Sequence, residues 1–292
     1  MEHVKWSSRP TLRSPVLIAA FTGWNDAGDA ASSAVRHLIE TWRAEHVASL
    51  DPEEFYDFGT TRPLVRLSDG VTREIVWPSN ELWAASTPGG DVLLLLGTEP
   101  QLKWRTFCRQ ITAVGAEQEA TLVLTLGALL ADVAHSRPVS LIGTATDQGL
   151  IDRFHLARSR YEGPTGIVGV LHDACAVAGL PSASLWAAVP AYAPGITSPK
   201  AALALVERAA ALIGAPVSMQ MLESSVADYE EEVTELVAGD DDLAGYVGRL
   251  EAMSGDDDDN DDENVVESTA PDAAVEQFVE DVERYLRDQG RD

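Results

Sequence analysis

Residues 15–32 read "PVLIAAFTGWNDAGDAAS". The run from Val16 to Phe21 is apolar without a break, which is the pattern of a short strand covered on both faces. Gly23 then closes a turn. From Asp26 to Arg43 the residues Ala30, Ala34, Leu38 and Trp42 recur at helical spacing. A buried strand, a tight turn and an amphipathic helix are the opening unit of an α/β domain.

The rest of the chain repeats that alternation. "DVLLLLG" (91–97), "TLVLTLG" (121–127), "PVSLIGTA" (138–145) and "SASLWAAVP" (182–190) read as buried strands. Helices are expected at about 103–119, through "TGIVGVLHDACAVAG" to Gly179, and from Ser198 to Ile213 behind a Ser-Pro-Lys start. Between the first helix and "DVLLLLG" lie the short pieces "HVASL", "FYDF", "LVRLS", "REIVWP" and "ELWAAS". With their Thr-Arg-Pro and Ser-Asp-Gly turns they read as antiparallel or edge strands. Together these patterns predict a three-layer α/β domain over residues 1–216, with a largely parallel or mixed sheet and helices on both faces.

Beyond it the texture changes. Residues 217–253 read as an acidic helical extension of two amphipathic helices, the first with the stripe Leu222, Val226, Tyr229, Val233 and Leu236. Residues 254–272 are low-complexity acid and read as a disordered linker, because like charges repel and nothing there can be buried. Residues 273–292 carry Val275, Phe278, Val279, Val282 and Leu286 on one helical face, so a C-terminal amphipathic helix is expected.

Charge follows the same division. The net charge is −26, but 25 acidic and 4 basic residues lie from Glu223 onward. The first 222 residues hold 22 acidic and 17 basic ones, an ordinary, mildly acidic surface. No basic stripe is present to neutralise phosphates, so nucleic acid is not an expected partner. No apolar run approaches the roughly 20 residues that span a bilayer, and "MEHVKWSSRPTLRSP" has no signal-peptide pattern. Cys108 and Cys175 lie in helix-like segments and match no metal spacing, as two reduced thiols of a cytoplasmic protein would.

The turn at 23–29 sits where many enzymes hold a phosphate on a helix N-terminus. Here Asn25, Asp26 and Asp29 supply acceptors and two negative charges, which cap free N–H groups and repel an anion. The stretch matches neither "GxGxxG" nor "GxxxxGK[ST]". Three readings stay open: a capped helix start, a polar recognition loop at a strand end, or a divalent-cation site on Asn25, Asp26 and Asp29. The last lacks further oxygen ligands.

Two strand ends add candidates. "GTEPQLKWRTF" places Glu99 just past a buried strand, with Trp104 and Arg105 on the next helix. "LGALLADVAHSRP" brings Asp132, His135 and Arg137 to the same edge, so these groups are expected to share one rim. In "YEGPTGIVGVL", Gly163, Gly166 and Gly169 at spacing three would line one side of a helix, with Glu162 beside the Gly-Pro turn. There is no "GxSxG", no "HExxH" and no activated cysteine. The candidate binding residues are therefore Gly23, Trp24, Asn25, Asp26, Asp29, Glu99, Trp104, Arg105, Asp132 and Glu162. No catalytic residue, cofactor or metal is assigned.

The blocks "GWNDAGDAA", "EPQLKWRTF", "LGALLADVAHSRP", "YEGPTGIVGVL", "SLWAAVPAY" and "SPKAALALV" together resemble the proteasome assembly chaperone (PAC2-like) family, in particular its high-GC bacterial branch. The resemblance runs from about Ser14 to Ile213. It implies a phosphorylase- or hydrolase-like α/β fold and a role in binding rather than catalysis, with proteasome α-subunits or the core particle as partner. Ring-docking members end in a hydrophobic-Tyr-any tripeptide, whereas this sequence ends "RDQGRD", with Tyr285 upstream. The expectation is a cytoplasmic, non-catalytic protein binder that forms a homo-oligomer. The alternative is an enzyme acting on a small molecule at a rim near Asn25, Glu99, Asp132 and Glu162.

Overall fold

The structure, a computed structural model, describes residues 1–255. The strands are β1 (Val4–Trp6), β2 (Val16–Thr22), β3 (Glu45–Leu50), β4 (Leu64–Ser68), β5 (Thr72–Val76), β6 (Asn80–Thr87), β7 (Gly90–Thr98), β8 (Leu122–Ala131), β9 (Leu141–Ala145) and β10 (Ser182–Pro190). The helices are α1 (Ala30–Thr41), α2 (Trp104–Glu117), α3 (Gln148–Phe154), α4 (Ile167–Ala178), α5 (Pro199–Ile213), α6 (Gln220–Ala238) and α7 (Asp241–Gly255). Eight strands form one sheet in the order β1-β3-β6-β7-β2-β8-β10-β9. The central four, β7-β2-β8-β10, are parallel, and both flanks add strands antiparallel. The sheet is therefore mixed, with a parallel centre.

Alternation along the central strands divides the core in two. Ile18, Leu94, Leu124 and Leu126 face one side and pack under α1 and α5. Leu17, Phe21, Leu93, Leu95 and Val123 face the other side and pack under α2 and α4. Each fully buried leucine contributes about 1.5–3 kcal/mol, which is why strands covered on both faces read as unbroken apolar runs. Cys108 on α2 and Cys175 on α4 are buried in the second layer as free thiols. Burial pushes both up to about 12, too high for a reactive thiolate.

Several expectations are revised. The first helix begins at Ala30 rather than Asp26, because Gly28 (φ 56°) and Asp29 (φ 50°) adopt left-handed conformations and kink the chain after a short 3₁₀ turn. "FYDF" is not a strand: Phe55 follows a 3₁₀ turn at Pro52–Glu54 and plugs the core at 0 % exposure. Gly163, Gly166 and Gly169 do not share a helix, since α4 begins only at Ile167 and Gly166 is its N-cap. β1 and α3 have too short an apolar pattern to announce themselves.

β4 and β5 stand apart as a two-stranded hairpin that pairs with no other described strand. Its Asp69–Gly70 turn has positive φ at both residues (53° and 72°), the geometry that suits the twist of a tight hairpin.

The stretch expected to hold two acidic helices carries α6 and α7. Their apolar stripe is Tyr229, Val233, Val237 and Val247, packed on Ala193 in the loop after β10. Leu236, expected in that stripe, is 43 % exposed. The acidic linker and the C-terminal amphipathic helix lie outside the described residues, apart from 254–255, which close α7.

Candidate functional site

The carboxyl ends of β2, β7 and β8 converge on the turn 23–29. Gly23 takes φ 122°, a conformation that L side chains rarely adopt, and redirects the chain as β2 ends. The Asn25 carbonyl then accepts from Ala128 N at 2.9 Å, which stitches the turn to β8. Its side-chain Nδ2 donates to Glu99 Oε1 at 2.9 Å. The same oxygen accepts from Ile167 N at 2.8 Å, the first residue of α4. Glu99 N in turn donates to Thr22 O at 2.9 Å.

One carboxylate thus ties three elements together. A carboxylate only accepts, so the Asn25 amide is oriented with nitrogen toward Glu99. At the N-terminus of α4 the negative charge also complements the helix dipole. Gly166 is required here, because a Cβ on it would lie 2.5 Å from both amide atoms of Asn25.

Asp26 is a helix cap. Its Oδ1 accepts from Ala31 N at 2.7 Å and Ser32 N at 3.0 Å, while the residue is only 5 % exposed. Burial raises its pKa above the ordinary carboxylate value, against the lowering effect of its hydrogen bonds with Ser32 and Ala31. The folded state therefore holds its proton to higher pH than the unfolded chain. Stability from this group is largest at low pH and falls as pH rises through the window above the ordinary value of 3.8. Asp26→Asn keeps an acceptor for the cap and removes the buried charge. We expect this variant to be at least as stable as the parent at pH 7 and the difference to vanish in acid. Asp26→Ala, which removes the cap, should cost about 1 kcal/mol or more. Chemical denaturation at pH 7 and pH 4 separates the two.

The remaining candidates divide into separate places. Trp24 is half-buried between two cavities. Asp29 is exposed and meets Thr197 at 3.5 Å. Trp104 packs against the α2/α4 core layer, and Arg105 is exposed on α2. Glu162 is exposed in the loop before α4.

The expected common rim is not formed, because the C-terminal helices occupy one part of it. Asp132 accepts from Tyr246 Oη at 2.7 Å, and Arg137 donates to Glu251 O at 2.9 Å. His135 lies between Tyr192 Oη at 2.8 Å and Thr234 Oγ1 at 3.0 Å. Lys200 Nζ donates to His135 O and Glu230 Oε1. These groups dock α6 and α7, while Glu99 belongs to the knot with Asn25.

One cavity, of about 270 Å³, lies between the 23–29 turn and residues 194–197. Another, of about 250 Å³, lies on the α4 face of the sheet between Trp24 and the loop 157–166. On its walls His172 is held between Thr125 Oγ1 and Ser182 Oγ, both at 2.9 Å, and Thr144 Oγ1 meets Ser184 Oγ at 2.9 Å. Among the described residues no group of three or more His, Cys, Asp or Glu side chains could hold a metal.

The sequence matches the PAC2 family over residues 20–237. The chain belongs to the PAC2 family. A PAC2 family protein from Streptomyces avermitilis is 44 % identical, with 80 % of this chain and 99 % of that one covered and a TM-score of 0.75. The proteasome-assembly chaperone homologue Rv2125 of Mycobacterium tuberculosis is likewise 44 % identical over 80 % and 99 % of the two chains, with a TM-score of 0.72. Pyrococcus furiosus PbaB, an archaeal proteasome activator, shares the fold alone, at 18 % identity, 81 % and 99 % coverage and a TM-score of 0.67. No functionally curated protein matches the chain. No described helix is long and apolar enough to cross a membrane.

Sequence reasoning missed the His172 cavity of this PAC2 fold. A signal for it exists: in "SASLWAAVP" the alternate positions Ser182, Ser184 and Trp186 are not aliphatic, so one face of an otherwise buried strand looks onto something other than core.

Proposed function

We propose that this PAC2 protein is a cytoplasmic, assembly-chaperone-like binder of other proteins, with proteasome α-subunits or the core particle as its partner, and that it also self-associates. The observation that carries this is the β4–β5 hairpin. Leu64, Val65, Leu67, Val71, Ile75 and Trp77 are 45–83 % exposed, and they make up half of the exposed large apolar residues among those described. Cross-strand pairing puts Val65 with Ile75 on one face and Leu64 with Val76 on the other, so the arm is apolar on both sides.

A lone two-stranded hairpin is marginal in water, and so large an exposed apolar surface marks a contact site. Covering it with a partner stabilises both. The family relationship to a proteasome-assembly chaperone homologue supports the choice of partner.

The test is native mass spectrometry of the 31.3 kDa protein with its host's α-subunits, alone and with β-subunits. A defined complex, or faster core-particle assembly, is the expected result. Leu67→Asp with Ile75→Asp should weaken it at least about tenfold, since apolar anchors dominate interface energies. Both positions are exposed, so folding stability should move by no more than about 0.5 kcal/mol each. Free species only, with assembly unchanged, would overturn the reading. A complex indifferent to the double variant would move the contact away from the hairpin.

A further inference from the structure

The 250 Å³ cavity on the α4 face carries an inference independent of protein binding. On this face α4 reaches β10 only at the start of the strand, where His172 meets Ser182. Toward the β10–β9 edge the face is roofed instead by the loop 157–166, leaving a space just below the common size range of small-molecule sites, which begins at about 300 Å³.

Its chemistry is one-sided. Trp24 and Trp186 contribute indoles and Tyr161 a phenol to its walls, an aromatic lining that suits a flat ring. Gly127 makes room for this arrangement, because a Cβ there would lie 2.5 Å from the Trp186 ring. At the floor the Thr144–Ser184 hydroxyl pair keeps hydrogen-bonding capacity beyond its mutual bond. No Asp or Glu lines the cavity, and its single permanent charge is Arg158 at the mouth. Arg158 is exposed and donates to the Gln148 amide oxygen at 3.3 Å, with no carboxylate partner among the described residues.

Catalytic use of the cavity is poorly served. Both ring nitrogens of His172 are engaged by hydroxyls, and no carboxylate orients the ring. What remains is binding.

We propose that this cavity binds a small aromatic carboxylate, its ring between the indoles and its carboxylate on the Arg158 guanidinium, which forms paired hydrogen bonds with such a group.

The full chain is titrated by calorimetry with three probes of one shape: 2-naphthoate, the neutral 2-naphthamide and the cationic 2-naphthylmethylamine. Naphthoate should bind with one-to-one stoichiometry, the amide about tenfold more weakly and the amine more weakly still. Arg158→Gln, an exposed change that leaves the core untouched, should cost naphthoate about tenfold and leave the amide unaffected. Thr144→Leu, which fills the floor, should weaken both. Equal affinity of the three probes would overturn the proposal, as would naphthoate binding unchanged in Arg158→Gln or no binding at millimolar concentration. None of these outcomes bears on the hairpin.

Discussion

Replacing Val233 by Asp is expected to peel α6 and α7 from α5 and the loop after β10 while the body stays folded. Val233 is 0 % exposed within the apolar cluster of Ala193, Tyr229, Val237 and Val247. An unpaired carboxylate forced into that cluster costs about 3 kcal/mol or more. The polar ties that hold the helices, from Lys200 to Glu230, His135 to Thr234 and Tyr246 to Asp132, are part-exposed and contribute about 1 kcal/mol each. They do not offset the loss together with the apolar contacts that go with it.

Undocking is therefore cheaper than global unfolding, and it exposes a helix rich in glutamate, from Glu223 to Glu235. A glutamate-specific protease should cut α6 on the order of a hundredfold faster in the variant, since each 1.4 kcal/mol is tenfold. The body should keep a cooperative thermal transition. If α6 instead melts in the same transition as the sheet in both proteins, the two helices are part of one cooperative unit and the expectation fails.

Acid is the second large effect. Desolvation lowers the His172 pKa from 6.5 to about 4. As pH falls from 6.5 toward 4, the unfolded chain takes up a proton that the folded chain refuses, so stability drops across that window and levels off below it. A shift of that size corresponds to at most about 3 kcal/mol, reduced by whatever solvent reaches the ring through the cavity. His135 is lowered too, chiefly by desolvation, and adds a smaller loss of the same sign. Asp26 acts in the opposite sense, so the parent protein shows the sum of opposed slopes. His172→Gln should flatten most of the decline between pH 6.5 and 4, whereas Asp26→Asn should steepen the decline at its acid end. Urea midpoints measured across pH 4–7 give both. An unchanged slope in His172→Gln would mean that the ring is charged when folded or titrates normally.

The fold was legible where burial is two-sided. β2, β7, β8 and β10 carry unbroken apolar runs because helices cover them on both faces, and the α5 start was readable from Ser198, whose Oγ accepts from Ala201 N. Short edge elements such as β1 bury too few residues to leave a pattern. The helix start after Gly23 was misplaced because propensity is blind to a left-handed kink at Gly28 and Asp29. At the site, Asn25, Asp26 and Glu99 could be picked out as polar groups at strand ends. Their geometry could not, since Asn25 and Glu99 are 74 residues apart and meet only when β2 pairs with β7. The strand-end pattern places Asp132 on one rim with Glu99, but its partner, Tyr246, lies on a helix 114 residues further along and draws it elsewhere.

The strand order has a consequence for the nascent chain. Every strand of the β1-β3-β6-β7-β2 half lies before residue 99, and β8, β10 and β9 all come after it. Five strands can therefore pair while the rest is still being translated. β2, one of the two central strands of the finished sheet, is then an outer edge with a row of open N–H and C=O groups beside Leu17, Ile18 and Phe21. Such an edge is a template for illicit pairing. It closes only when Leu122–Thr125 has left the ribosome, which at about 5–20 residues per second takes seconds beyond the synthesis of β7. Vectorial synthesis thus makes the centre of this sheet its most vulnerable strand at the moment of birth.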